Sequence, residues 1–194
     1  YVDLYLSNPA QFSRLIEKGQ YFIYFVLEEL EKYRLPPELA LLPYIESNYD
    51  PFSISASGAM GIWQFMPATA RIYGLQDTWW YEQRHDPLVS SRAAVRYLAY
   101  LHNRFNKEIT YTLSAYNGGP TLLEKQIKLN KKLGKSTNYK QLKLPRQTKD
   151  YVPKFKAIVE LVINAEKYGL TLPAFPNTQV LGSISLNGQV EILA

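Results

Sequence analysis

The 194-residue chain is 46% hydrophobic and 20% charged, a balance that excludes a disordered or fibrous protein and fits one compact domain able to carry a cleft. It has no cysteine, which excludes disulfides, thiolate metal sites and a cysteine nucleophile. The net charge of +5 is uneven: between Pro120 and Lys156 eleven Lys or Arg stand against two acids, either a solvated surface or a face that attracts a polyanion.

In chain order, the apolar run Tyr21 to Leu27 is far shorter than the roughly 20 residues that cross a bilayer. No membrane contact is expected from this segment, and any export signal or lipid anchor would precede Tyr1. Ile23, Val26, Leu27 and Leu30 recur at helical spacing. Pro36-Pro37-Glu38 opens a second helix running to Glu46, with Pro43 inside it removing one backbone bond and bending it. Glu46 then sits near a distorted helix end. From Ser47 to Met60 the Asn, Asp, Pro, Ser and Gly residues break both periodicities and predict a loop.

Pro67 opens a helix that Gly74 closes, and Asp86-Pro87 supplies the cap and first-turn proline of a helix carrying Ala94, Tyr97, Leu98, Leu101 and Phe105. Gly118-Gly119-Pro120 ends one helix and begins another; Phe155, Ile158, Val159 and Val162 mark a last long helix. The fold class is mainly α, helix packed on helix. After Gly169 the texture changes. Pro173 and Pro176 precede alternating Val180, Ile184 and Leu186, an Asn187-Gly188 turn, then Val190 and Ile192, which predicts a short C-terminal β-hairpin or the start of a linker over 171–194. His85 and His102 are too few and too far apart to read as a metal motif, so packing or surface roles are expected and neither metal nor cofactor.

Leu41-Leu42-Pro43-Tyr44-Ile45-Glu46 places a carboxylate in an apolar stretch. Poor solvation raises a carboxyl pKa, which would keep Glu46 protonated near neutral pH and able to donate a proton. An exposed helix-end glutamate is the plainer alternative. Asp50, the only other acid nearby in sequence, precedes Pro51 and reads as a turn cap.

The company Glu46 keeps is more specific. Glu46-Ser47-Asn48-Tyr49-Asp50-Pro51, Ser55 to Pro67 with Gly58-Ala59-Met60-Gly61-Ile62-Trp63-Gln64 at its heart, Ala115-Tyr116-Asn117-Gly118-Gly119, and Arg146 to Lys154 resemble, in order, the four motifs of lytic transglycosylases of the soluble-lytic-transglycosylase (SLT) fold, glycoside hydrolase family 23. Ile62-Trp63-Gln64, Trp79-Trp80-Tyr81 and the stretch Arg92 to Phe105 point more narrowly to the membrane-bound D type. The resemblance covers about residues 20 to 170. It implies a lysozyme-like, goose-type/SLT catalytic domain over 1–170, located in the bacterial cell envelope on the periplasmic side, with a wall-binding LysM-type module conceivable outside this chain.

The implied substrate is the peptidoglycan glycan strand, cut between N-acetylmuramic acid and N-acetylglucosamine. Glu46 matches the family's single catalytic acid. It would protonate the leaving oxygen and then take a proton from the muramic acid's own C6 hydroxyl as that oxygen attacks C1, leaving a 1,6-anhydro end. Ser55 and Ser57 match loop serines that contact sugar or orient the acid, and Gln64 and Met66 match cleft-lining residues. Asn117 matches an asparagine that bonds the N-acetyl group, and Tyr151 a tyrosine aimed at Glu46 or the reacting sugar. Among Tyr116, Trp63, Phe65, Trp79 and Trp80, all candidates for stacking on sugar, only Tyr116 is assigned that role, because most aromatics must form core. Gln147 stands where the fourth motif often has glutamate, a change that would alter the local pKa. Three rival readings remain: a goose-type lysozyme that delivers water, a non-catalytic wall-binding module, and nucleic-acid binding through the basic segment, which has no recognised motif and is not expected.

Overall fold

A computed structural model describes residues 1–178, 180 and 181. Among them are nine α-helices: α1 Val2–Leu6, α2 Pro9–Glu17, α3 Ile23–Lys32, α4 Leu42–Glu46, α5 Pro67–Ile72, α6 Pro87–Arg104, α7 Ile109–Gly118, α8 Pro120–Lys132 and α9 Arg146–Ile163. The hairpin expected around Asn187-Gly188 lies outside the described residues. The first part of the extension stays with the body: Leu170 is buried, Leu172 and Phe175 pack on the core, and Ser13 Oγ donates to the Thr171 carbonyl at 2.8 Å.

The helix punctuation follows local chemistry. Asp86 caps α6 by accepting from the backbone N–H groups of Leu88 and Val89, both at 2.9 Å, and Pro87 occupies the first turn. Gly119, at φ +84°, turns the chain between α7 and α8. Of the expected apolar stripe of α3, Val26 and Leu30 are buried and Ile23 packs on the core, while Phe25 is buried and Leu27 is 37% exposed.

The expected helix from Pro36 to Glu46 is two pieces. A 3₁₀ segment, Pro37–Leu41, hands over to α4 at Leu42. Pro43 therefore lies in a first turn, where its absent N–H has no intrahelical acceptor to serve, instead of bending a longer helix from within.

α7 is the hub of the bundle and packs against α6, α8 and α9. Its buried Thr112, Ser114 and Ala115 are small enough for close approach, and the Thr112 and Ser114 hydroxyls return to the carbonyls of Glu108 and Thr110. One apolar cluster joins α2, α3, α4, α6 and α9 around Trp63; a second, with Leu101, Phe105, Leu123 and Leu142, lies against α8. His102 is buried on Thr112 Oγ1 at 3.1 Å, and His85 Nδ1 lies 2.7 Å from the Pro51 carbonyl.

Candidate active site

Glu46 is the last residue of α4. Ser47 and Tyr49 N–H groups both return to the Pro43 carbonyl, at 3.0 and 3.2 Å, and Asn48 and Tyr49 take positive φ, +56° and +58°. A tyrosine rarely adopts that backbone. Here its ring is buried and its hydroxyl donates to the Ala40 carbonyl at 2.6 Å, so packing holds the turn that ends α4 at Glu46.

The carboxyl group forms the floor of a cavity of about 340 Å³ whose lining comes from four separate segments. α4 gives Ile45 and Glu46; the loop before α5 gives Ser55, Ser57, Ala59, Gln64 and Met66; α7 gives Tyr116 and Asn117; α9 gives Gln147, Tyr151 and Lys154. All eight residues singled out in the sequence meet here. A larger cavity of about 660 Å³ runs along α3 and carries Tyr24, Glu28, Glu31 and Arg34, but it contains none of the residues that the four motifs single out.

Burial pushes the Glu46 carboxyl up from 4.5 to about 7, against the opposing effect of a hydrogen bond from Tyr151. Tyr151 Oη donates to Glu46 Oε1 at 2.5 Å. Glu46 is half-buried on the cavity and not an exposed helix-end residue. Among the described residues Glu46 is the only acid lining the cavity, and Asp50 is used as expected, its Oδ1 accepting from the Phe52 N–H at 2.9 Å. Among the described residues no three His, Asp or Glu side chains gather as a metal ion would require.

The helical wall is set by close packing. A Cβ on Gly118 would lie 2.9 Å from Thr148 Oγ1 and 3.0 Å from its Cγ2, so glycine lets α7 and α9 touch there. Across that contact Thr148 Oγ1 donates to Asn117 Oδ1 at 2.9 Å, which engages the amide oxygen and leaves the Nδ2 donor for the cavity. Tyr116 is half-buried, with its hydroxyl on the Trp63 carbonyl at 2.8 Å and its ring against Tyr97, centroids 5.5 Å apart.

The loop wall is set by hydrogen bonds. Ser55 Oγ accepts from Ala59 N–H at 2.9 Å and lies 3.0 Å from Ser57 Oγ; Gln64 Nε2 donates to the carbonyls of Ser53 and Gly61. Ser55 and Gln64 thus brace the wall they line. Behind them Arg84, 5% exposed, reaches the carbonyls of Gly58 and Phe65 at 3.2 and 3.4 Å while Glu82 neutralises it. Gly61 has φ +77° and a Cβ there would meet the Arg84 carbonyl oxygen at 1.8 Å.

Three placements depart from expectation. Trp63 and Phe65 are core, as the abundance of aromatics suggested, but Trp79 and Trp80 stand in solvent, 87% and 89% exposed. Of the eleven basic residues between Pro120 and Lys156, Lys154 alone lines the cavity. Arg84 carried no sequence signal, because its role depends on a fold contact with a loop about 20 residues away.

Comparison with known proteins completes the picture. The model of the family described as "Transglycosylase SLT domain" matches residues 24–139. The chain is 37% identical over 188 residues to membrane-bound lytic murein transglycosylase D of Escherichia coli strain K12, covering 97% of this chain and 42% of that protein. It is 38% identical over 102 residues to a putative tributyltin chloride resistance protein of Alteromonas sp. strain M-1, covering 53% and 49%. The chain thus spans less than half the length of these relatives. The solved structure of an inactive variant of lytic transglycosylase Slt from Pseudomonas aeruginosa superposes with a TM-score of 0.57 at 19% identity, over 88% of this chain and 30% of that one, a likeness of fold.

Proposed function

This chain belongs to the transglycosylase SLT family, and from that membership we propose that it is a peptidoglycan lytic transglycosylase whose catalytic domain is residues 1–170. The observation that carries the reading is a single acid, Glu46, held near pKa 7 in a cleft that offers no second carboxylate among the described residues. Glycosidases that use water ordinarily pair two carboxylates, one to protonate the leaving oxygen and one to activate water or attack C1. A lone acid suits a reaction in which the substrate supplies its own nucleophile.

The steps balance without water. Glu46 gives its proton to the oxygen linking N-acetylmuramic acid to N-acetylglucosamine, and the C1–O4 bond breaks with its electron pair on that oxygen. The muramic C6 hydroxyl oxygen then bonds to C1 and its proton passes to the Glu46 carboxylate, which restores the acid. With a pKa near operating pH both forms of Glu46 are accessible, as a group used first as acid and then as base requires. Tyr151 holds the carboxyl in place, Asn117 offers Nδ2 to the N-acetyl carbonyl, and Ser55, Ser57, Gln64, Met66 and Tyr116 contact the sugars. Lys154 places a positive charge at the cleft, suited to a lactyl or stem-peptide carboxylate.

We place the protein in the bacterial cell envelope, facing the wall, with the anchor implied by the name of its membrane-bound relative and any LysM-type module lying outside this chain. Among the described residues no helix is long and apolar enough to cross a membrane. The test is mass spectrometry of fragments released from purified sacculi. Ends in 1,6-anhydromuramic acid, lost by about a thousandfold in Glu46→Gln, are the expected result; reducing ends would make the protein a lysozyme, and no release by either form would leave a wall-binding module.

A further inference from the structure

Trp79 and Trp80 are the two most exposed large apolar side chains among the described residues. They occupy the tip of a tight turn inside the antiparallel Asp77–Glu82 bridge, where adjacent side chains can both face water, and the two indoles lie edge to face with centroids 6.1 Å apart. The loop that carries them is well tied. Gln83 N–H donates to the Gln76 carbonyl at 3.1 Å, Gln76 N–H to Gln83 Oε1 at 2.7 Å, and Thr78 N–H to the Tyr81 carbonyl at 3.0 Å. Tyr81 hydrogen-bonds Asp86, the cap of α6.

At its base this loop runs into Arg84, whose guanidinium grips Gly58 and Phe65 on the loop wall of the cleft. The Trp pair and that wall are therefore joined through a buried, neutralised arginine. Met66, which lines the cavity, is itself 42% exposed, so apolar surface begins at the cleft mouth. A cavity of about 340 Å³ holds a short piece of a polymer, and the remainder must run over the surface on either side.

We propose that Trp79 and Trp80 form a sugar-stacking platform for the glycan strand outside the cleft that holds Glu46. Indole faces suit the apolar C–H faces of pyranose rings, and tryptophan presents a large rigid contact at small entropic cost. The platform rests on the reading of glycan as substrate. Charge argues against a lipid surface as the occupant: between Gln76 and Asp86 the acids Asp77, Glu82 and Asp86 outnumber Arg84, which Glu82 already neutralises, whereas anionic lipid recruits lysine and arginine beside its aromatic anchors.

The test measures binding of peptide-free glycan strands, long and short, to protein carrying Glu46→Gln, which keeps binding separate from turnover. Adding W79A and W80A should weaken the long strand about tenfold and leave a short oligosaccharide that fits the cleft unchanged; adding W79F and W80F instead should retain most of the long-strand affinity. Equal weakening of both ligands, or no weakening of the long one, overturns the platform. Co-sedimentation with vesicles of phosphatidylethanolamine and phosphatidylglycerol that needs both tryptophans, with glycan binding untouched, would assign them to membrane and also overturn it. Tryptophan-dependent binding of long strands by a protein that releases no anhydro ends would refute the proposed reaction and leave the platform standing.

Discussion

The two walls of the cleft are built on different physics. The helical wall, α7 against α9, is a packing contact: Gly118 admits Thr148, and Asn117 and Tyr151 take their positions from two rigid helices. The loop wall, residues 53–66, has no regular element before Met66. It is held by backbone bridges at Ile54, Met60 and Phe65, by Gly61 in a left-handed conformation, and by the Arg84 guanidinium behind it. Packing distributes its cost of perturbation over many contacts, whereas a hydrogen-bonded loop concentrates it in a few groups. The same cavity should therefore respond unequally to equal changes on its two sides.

Gly61→Ala is the sharpest way to break that inequality. It puts a Cβ 1.8 Å from a backbone oxygen at φ +77°, and should cost about 3 kcal/mol or more in denaturant unfolding, with activity lost. An unaltered midpoint would mean that Arg84 does not tie the loop wall. Gly118→Ala, the matching change on the helical wall, should cost about 1–2 kcal/mol because a threonine side chain can yield where a backbone oxygen cannot. Adding Thr148→Ser removes the methyl from that clash and keeps the hydroxyl on Asn117, so it should return part of both stability and turnover.

Between the walls, Glu46 links stability to pH. Its folded pKa near 7 lies above the ordinary 4.5, so the folded state holds more protons than the unfolded state between those values, and stability falls as pH rises through that window. Glu46→Gln removes the fall. Its advantage over the wild type in thermal melts should widen from pH 4.5 to 7 and be level outside; an advantage independent of pH would contradict the burial argument.

The smallest effect belongs to Tyr151→Phe. Its hydrogen bond holds the Glu46 pKa below what burial alone would give, so removing it should raise that pKa. The alkaline limb of the pH–rate profile, where the acid loses its proton, should then move to higher pH; movement to lower pH would assign the tyrosine another role.

The helical wall was the more legible in the sequence, because periodic apolar residues and Pro/Gly punctuation report local structure directly. Asp86-Pro87 and Gly118-Gly119-Pro120 fall where the caps are. The segment from Pro36 to Glu46 was less legible, since two helical geometries share one apolar pattern and only tertiary contact decides between them. Eight site residues came from ordered motifs whose shared cavity no local rule predicts. Arg84, Lys154 and the exposure of Trp79 and Trp80 were not legible, because each is fixed by what the fold brings near or leaves uncovered.

The proposed chemistry requires Glu46, half-buried on the cleft, to keep its proton close to neutral pH. Carbon-13 NMR of glutamate side-chain carboxyls, titrated in the wild type and in Glu46→Gln, measures that directly. A resonance titrating at about 7 and absent from the variant is the predicted result; a Glu46 resonance titrating near 4.5 would contradict the account.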